Sequence, residues 1–121
     1  MQAPRKHAVQ VGATLTASGN SGNLKNLGLS ASPDVVICVA VHGAVVGTSP
    51  TLQVTLYTVD DLGNMYQVWQ GASIIATNTF QRQQIVGTID PTFYVSWVIG
   101  GSGGPSFAGV DITLYMSSPD L

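Results

Sequence analysis

The side chains able to transfer protons or act as nucleophiles are few in this chain and lie far apart. There are two histidines, His7 and His42, one cysteine, Cys38, and six acidic residues, all of them aspartate. Acid–base and nucleophilic catalysis need a base within hydrogen-bond reach of its partner, and neither histidine forms a convincing triad by spacing. No GxSxG, HExxH, phosphate-binding or cysteine-rich metal motif occurs. The sequence therefore predicts no enzymatic activity and no cofactor.

Two segments resemble ligand-binding loops but have simpler explanations. The segment 60–64, DDLGN, offers oxygen ligands that suit calcium. The same residue types are also those that a tight turn between strands requires, and we favour the turn. The segment 100–105, GGSGGP, lacks the lysine and the helix start of a phosphate-binding loop. We interpret it as the flexible connector of a β-hairpin, and we predict no metal site.

Aromatic and amide side chains suggest one alternative site. Tyr66, Trp69 and Gln70 lie close together in the sequence, and exposed rings flanked by amides are a common platform for carbohydrates. Packing in the core is the simpler interpretation for Trp69. Trp97 is expected in the core, because it shares a strand face with Phe93, Val95 and Ile99.

Charge argues against a nucleic-acid partner. The chain has four basic residues, a formal net charge of −2 and a pI near 5.3. Half of the basic residues lie in MQAPRKH, a segment without hydrophobic periodicity. We therefore predict a flexible arm over residues 1–7, followed by one domain over residues 8–121. Pro4, Arg5, Lys6 and His7 are the candidate residues for contact with an acidic protein surface.

Period-two alternation of apolar and polar residues runs through most of the chain and predicts an all-β domain. The segments VQVGATLTA, TLQVTLYTV and TFYVSWVI show it most clearly, while SGNSGN is expected to interrupt the strands. We count about eight strands and predict an antiparallel β-sandwich or jelly roll.

One strand differs from the others, because DVVICVAVH is apolar on both faces. Such a strand is typical of the centre of a sheet, where each face is covered by the opposite sheet or by a neighbouring subunit. Only 8% of the residues are charged, so partner subunits are expected to cover part of the surface. The lone Cys38 and the lack of a signal peptide or membrane-spanning segment indicate assembly in a reducing cytoplasm, without a membrane partner.

Three stretches of the sequence carry a family resemblance. SGNSGNLKNLGLS, VVGTSPTLQVTLYTVDDLGNMYQVW and FYVSWVIGGSGGPSFAGVDITLYM follow one another in this order over most of the chain. In order and spacing they resemble small β-sandwich proteins encoded among the head genes of tailed bacteriophages. Two departures are that DDLGN replaces the usual SPDG-like turn, and that the basic residue of the YVRVSW motif is missing from FYVSW.

The resemblance implies a virion structural protein. The expected role is that of a capsid decoration, or cement, protein that binds the major capsid protein on the surface of the head as a homotrimer. The alternatives are a tail or baseplate module that binds carbohydrate through Tyr66, Trp69 and Gln70, and a head–tail connector component. The expected location is the surface of the virion, with assembly in the host cytoplasm.

Overall fold

The computed structural model describes residues 5–25, 34–86 and 92–117, and this part of the chain is built from antiparallel β-strands without any helix. The seven strands are β1 (Arg5–Leu15), β2 (Gly19–Lys25), β3 (Asp34–Val41), β4 (Val45–Val59), β5 (Met65–Gln70), β6 (Thr79–Ile85) and β7 (Thr92–Ser117). The predicted all-β class is confirmed.

The longest strand, β7, organises the fold, because strands pair with it along both sides. On one side lie β1 and β2, and on the other side lie β3 and β4. The β3–β4 segment follows β7 from Asp34 opposite Ser117 to Val59 opposite Thr92. The β3–β4 segment and β7 have the same number of residues between these ends, so the register shifts in the middle of their pairing cancel.

The strands form two layers, because β4 and β7 bend and contribute to both. The first layer has the order β2–β7–β4–β5 and is called the β5 sheet. The second has the order β1–β7–β3–β6 and is called the β6 sheet. This architecture is compatible with the predicted sandwich or jelly roll.

The hydrophobic core lies between the inner faces of the two sheets. Alternate residues of β3 are buried, from Val35 to Val41, and they face the buried side chains Phe93, Val95 and Trp97 of β7. The predicted inward face of TFYVSWVI is thus confirmed, and Ile99 packs against the same cluster. Each fully buried side chain of this size contributes about 1.5–3 kcal/mol to folding.

The predicted hairpin at residues 100–105 is wrong. The segments on its two sides do not pair with each other; they are consecutive parts of β7, and the glycine-rich stretch lies opposite residues 47–51 of β4. Positive φ angles at Gly101, Gly103 and Gly104 let the strand bulge and turn from one sheet into the other. The glycines therefore build a bend in a paired strand.

Two further predictions about strands need correction. SGNSGN does not interrupt the strands, because most of it lies in β2, where a positive φ at Gly22 accompanies an irregular register opposite β7. The segment ASIIATNTF, residues 72–80, predicts a further strand, but the structure has only an isolated bridge at Ile74 and the start of β6 there. In NLKNLGLSAS, Leu27 and Leu29 fit a short strand better than a turn of helix, but both lie outside the described residues.

Candidate functional site

The first described residues of the chain belong to the sandwich. β1 begins at Arg5, opposite Met116, and Lys6 and His7 continue the pairing with β7. The predicted boundary of the arm at residue 7 is therefore corrected, because backbone pairing with the end of β7 fixes residues 5–7. Pro4 lies outside the described residues.

Lys25, the last residue of β2, lies close to Arg5, Lys6 and His7 at the start of β1. The Nε2 atom of His7 donates a hydrogen bond of 2.7 Å to the carbonyl oxygen of Lys25, the last residue of β2. Three of the four basic residues of the chain thus lie on the strands that follow one side of β7. We call Arg5, Lys6, His7 and Lys25 the basic edge.

The basic edge provides positive charge without catalytic geometry. The side chains of Lys6 and Lys25 are exposed, so each can form ion pairs with an acidic partner surface. An exposed ion pair contributes about 0.2–1 kcal/mol and weakens as salt is added. Sequence reasoning missed Lys25, because His7 lies opposite Leu114 and Lys25 opposite Thr92, and these two ends of β7 come together only because the strand bends from one sheet into the other.

The three residues of the alternative glycan platform do not form one surface. Trp69 lies opposite Leu56 and packs against the core, whereas the adjacent Gln70 lies opposite Thr55 and contacts its hydroxyl at 3.5 Å. Adjacent residues of a regular strand point to opposite faces. Tyr66 is half exposed, and its hydroxyl donates to a carboxylate oxygen of Asp60 at 2.9 Å.

The segment 60–64 is a tight turn between β4 and β5. The Asp60 carboxylate accepts hydrogen bonds from the Asn64 N–H at 2.8 Å and the Leu62 N–H at 2.9 Å. It also accepts one from the Asn64 side-chain amide at 3.1 Å. The hydrogen bond from the Asn64 backbone, supported by those from the Asn64 side chain, Tyr66 and Leu62, lowers the pKa of Asp60 from its ordinary value. Through these hydrogen bonds the Asp60 carboxylate stabilises the turn.

The other histidine, His42, contacts a carboxylate. Its Nε2 atom lies 3.0 Å from Oδ2 of Asp111, and Oδ1 of the same residue accepts a 2.7 Å hydrogen bond from the N–H of Gly12. The pair thus links β1 and β7 to the residue that follows β3. Among the described residues, no three His, Cys, Asp or Glu side chains gather as metal ligands.

Comparison with known proteins supports the fold assignment. No protein-family model matches the chain, and a search of curated proteins finds no match either. The chain is similar to a chain in the structure of the Gx strain of infectious bursal disease virus, with a TM-score of 0.51 and 12% sequence identity. The match covers 96% of this chain but only 32% of the viral chain, so this protein spans about a third of its length. At this identity the likeness concerns the fold alone.

Within the described residues, no helix is long and apolar enough to cross a membrane.

Proposed function

We propose that this protein is a virion structural protein that decorates the outside of a phage head and stabilises the shell. The observation that supports the proposal best is the likeness of nearly the whole chain to part of a virus structure. The family resemblance of the three sequence stretches is independent support, because it rests on motifs and not on the fold.

The geometry of the chain agrees with a binding role. The Asp60 carboxylate closes a turn and the His42–Asp111 pair links strands, while the basic edge places two exposed lysines on one side of the sandwich. A decoration protein needs a stable scaffold and a surface that recognises the shell. We infer that the basic edge contacts acidic side chains of the major capsid protein.

The proposed mechanism is thermodynamic. A ligand that binds only the assembled shell stabilises that shell by mass action, by an amount that grows with the free concentration of the ligand. The protein would therefore raise the temperature at which heads release their DNA, without any chemical step. The trimer implied by the resemblance remains a separate prediction about the number of copies at each position on the shell.

Cosedimentation with purified expanded capsids tests the proposal. We expect saturable binding in a fixed ratio to the major capsid protein, and a rise in the melting temperature of the decorated capsids. An unrelated β-sandwich protein of similar size serves as the control. Binding to immobilised host glycans without any binding to capsids would overturn the proposal and favour the tail or baseplate alternative.

A further inference from the structure

The outer face of the β6 sheet is apolar along β3. Val36, Cys38 and Ala40 point outward from β3 and are only half-buried. They line two adjoining hollows of about 390 and 320 Å³, which share Cys38 and Tyr115. This is the second apolar face that the sequence predicts for β3, and in the single chain it is open to solvent.

Two strongly exposed apolar side chains lie at the edges of this face. Phe80 of β6 lies opposite Ala40 and is 63% exposed. Val11 of β1 is 74% exposed and lines a hollow together with Ala40 and Asp111. Phe80 and Val11 therefore lie at the same end of the sheet, on opposite edges.

We propose that two copies of this chain associate through the outer faces of their β6 sheets, about a two-fold axis that runs parallel to the strands between β7 and β3. Such an axis places β1 of one copy over β6 of the other, and β7 over β3. Phe80 of each copy then packs against Val11 of the other, and Cys38 faces Thr113.

The charges on this face agree with this symmetry. The face carries two basic side chains on its edge strands, Lys6 and Arg82, and two acidic ones on its inner strands, Asp34 and Asp111. The axis brings Arg82 of one copy next to Asp111 of the other, and Lys6 next to Asp34. A two-fold interface requires this kind of self-complementarity, because the same patch must supply both partners of each contact.

The size of the face is sufficient for a stable dimer. Four strands spaced about 4.8 Å apart, with roughly 3.4 Å per residue along a strand, give a flat footprint of about 500 Å² over the eight residues of β3. The side chains make the real surface larger than this footprint. The two footprints together give about 1,000 Å², which reaches the lower limit for a specific interface. The net charge of −2 gives little repulsion between two copies.

Sedimentation velocity over a range of concentrations tests the proposal. We expect the wild-type chain of 12.6 kDa to form a dimer. The variants Phe80→Ser and Val11→Ser should each raise the dissociation constant about tenfold or more, because the two-fold axis makes each variant remove the apolar contact twice. Ile75→Ser, which removes a side chain of similar exposure from outside this face, is the matched control and should leave the dimer unchanged.

An exchange of charges tests the orientation. Arg82→Asp and Asp111→Arg should each weaken the dimer, and the double variant should recover most of the lost affinity. Asp111 also contacts Gly12 and His42, so its replacement disturbs contacts within the chain as well as the interface. A second measurement therefore uses the wild-type chain. The rate at which maleimide labels Cys38 should fall as the protein concentration rises through the dissociation constant.

Three results would overturn the pairing. They are a wild-type monomer at about millimolar concentration, the homotrimer that the family resemblance implies in place of the dimer, and a dimer that both Phe80→Ser and Val11→Ser leave intact. The inference does not depend on the proposed function. A monomeric protein that binds capsids would refute the proposed dimer but not the decoration role. A dimer that does not bind capsids would refute the decoration role but not the proposed dimer.

Discussion

The indole of Trp97 covers Gly19 so closely that a Cβ atom on Gly19 would lie 2.9 Å from the ring. The two residues face each other across the β2–β7 ladder, where Gly19 lies opposite Trp97. The glycine at the start of β2 thus leaves space for the largest side chain of the inner face of β7. The ring joins β2 to the core, since its exposed fraction is only 7%.

We expect Trp97→Ala to lower the free energy of unfolding by about 3–5 kcal/mol, because it leaves a cavity in a packed interior. Urea denaturation measures the change. Trp69→Ala is the control, and it should cost less, because Trp69 is only partly buried at the edge strand β5. Small and equal losses for both variants would contradict the assignment of the inner face.

The bend in β7 gives a second prediction. A Cβ atom on Gly101 would lie 2.8 Å from the carbonyl oxygen of Ser49, and the φ angle of Gly101 is 109°. We expect Gly101→Ala to lower the free energy of unfolding by about 1–3 kcal/mol, because the alanine adopts a strained backbone against a neighbouring strand. Thermal and urea denaturation measure the loss.

Gly104→Ala is the matched control for the bend. The φ angle of Gly104 is also positive, at 68°, but a Cβ atom there would meet nothing within 4 Å. Its cost should therefore be smaller than that of Gly101→Ala. If the two variants are tolerated equally well, the segment is not a strained bend, and a flexible connector, as the sequence predicts, describes it better.

The acidic turn between β4 and β5 gives a prediction about pH. The folded-state pKa of Asp60 is lowered, so its ionised form stabilises the native state above the ordinary pKa of 3.8, and this stabilisation is lost as the pH falls through the lower folded value. Asp60→Ala should therefore lower the melting temperature at neutral pH, and the difference from wild type should shrink below about pH 3.8.

Asp61→Ala is the control for the acidic turn. Asp61 is exposed and adjacent to Asp60, and the hydrogen bonds that close the turn are made by the Asp60 carboxylate. We expect this variant to change the melting temperature little at any pH. A constant difference between Asp60→Ala and wild type from pH 7 to pH 2 would show that the charge of Asp60 does not contribute.

The sequence predicts the local features of this fold well, because they depend on alternation. Phe93, Val95 and Trp97 alternate with polar or exposed residues, and this pattern defines the inner face wherever one side of a strand is buried. The alternation does not determine which strand a given strand pairs with. Glycines at 100–105 permit a hairpin as well as a bent strand, and the choice is made by pairing with residues 47–51, far away in the chain.

The candidate site was predictable only in part, for the same reason. Arg5 and Lys6 stand out in the sequence as adjacent basic residues in a weakly charged chain. β1 begins beside one end of β7 and β2 ends beside the other, so the proximity of Lys25 depends on the bend of β7 between the two sheets, which no local pattern records. Gln70 and Trp69 were grouped by sequence distance, although the strand directs them to different faces.

The last prediction concerns the basic edge. Lys6→Gln together with Lys25→Gln removes two exposed charges and leaves the backbone pairing of β1 and β2 intact, so the melting temperature of the free protein should change little. Each exposed ion pair is worth about 0.2–1 kcal/mol, so capsid binding should weaken about two- to thirtyfold at low salt. Cosedimentation with expanded capsids measures the affinity.

Salt and a matched variant separate charge from shape at the basic edge. The charge-conserving pair Lys6→Arg and Lys25→Arg should bind capsids about as well as wild type. The affinity difference between wild type and the glutamine variant should vanish as added salt shortens the screening length to about 3 Å at 1 M. If the glutamine variant decorates capsids as tightly as wild type at every ionic strength, the basic edge is not the attachment surface, and attachment belongs to another part of the sandwich.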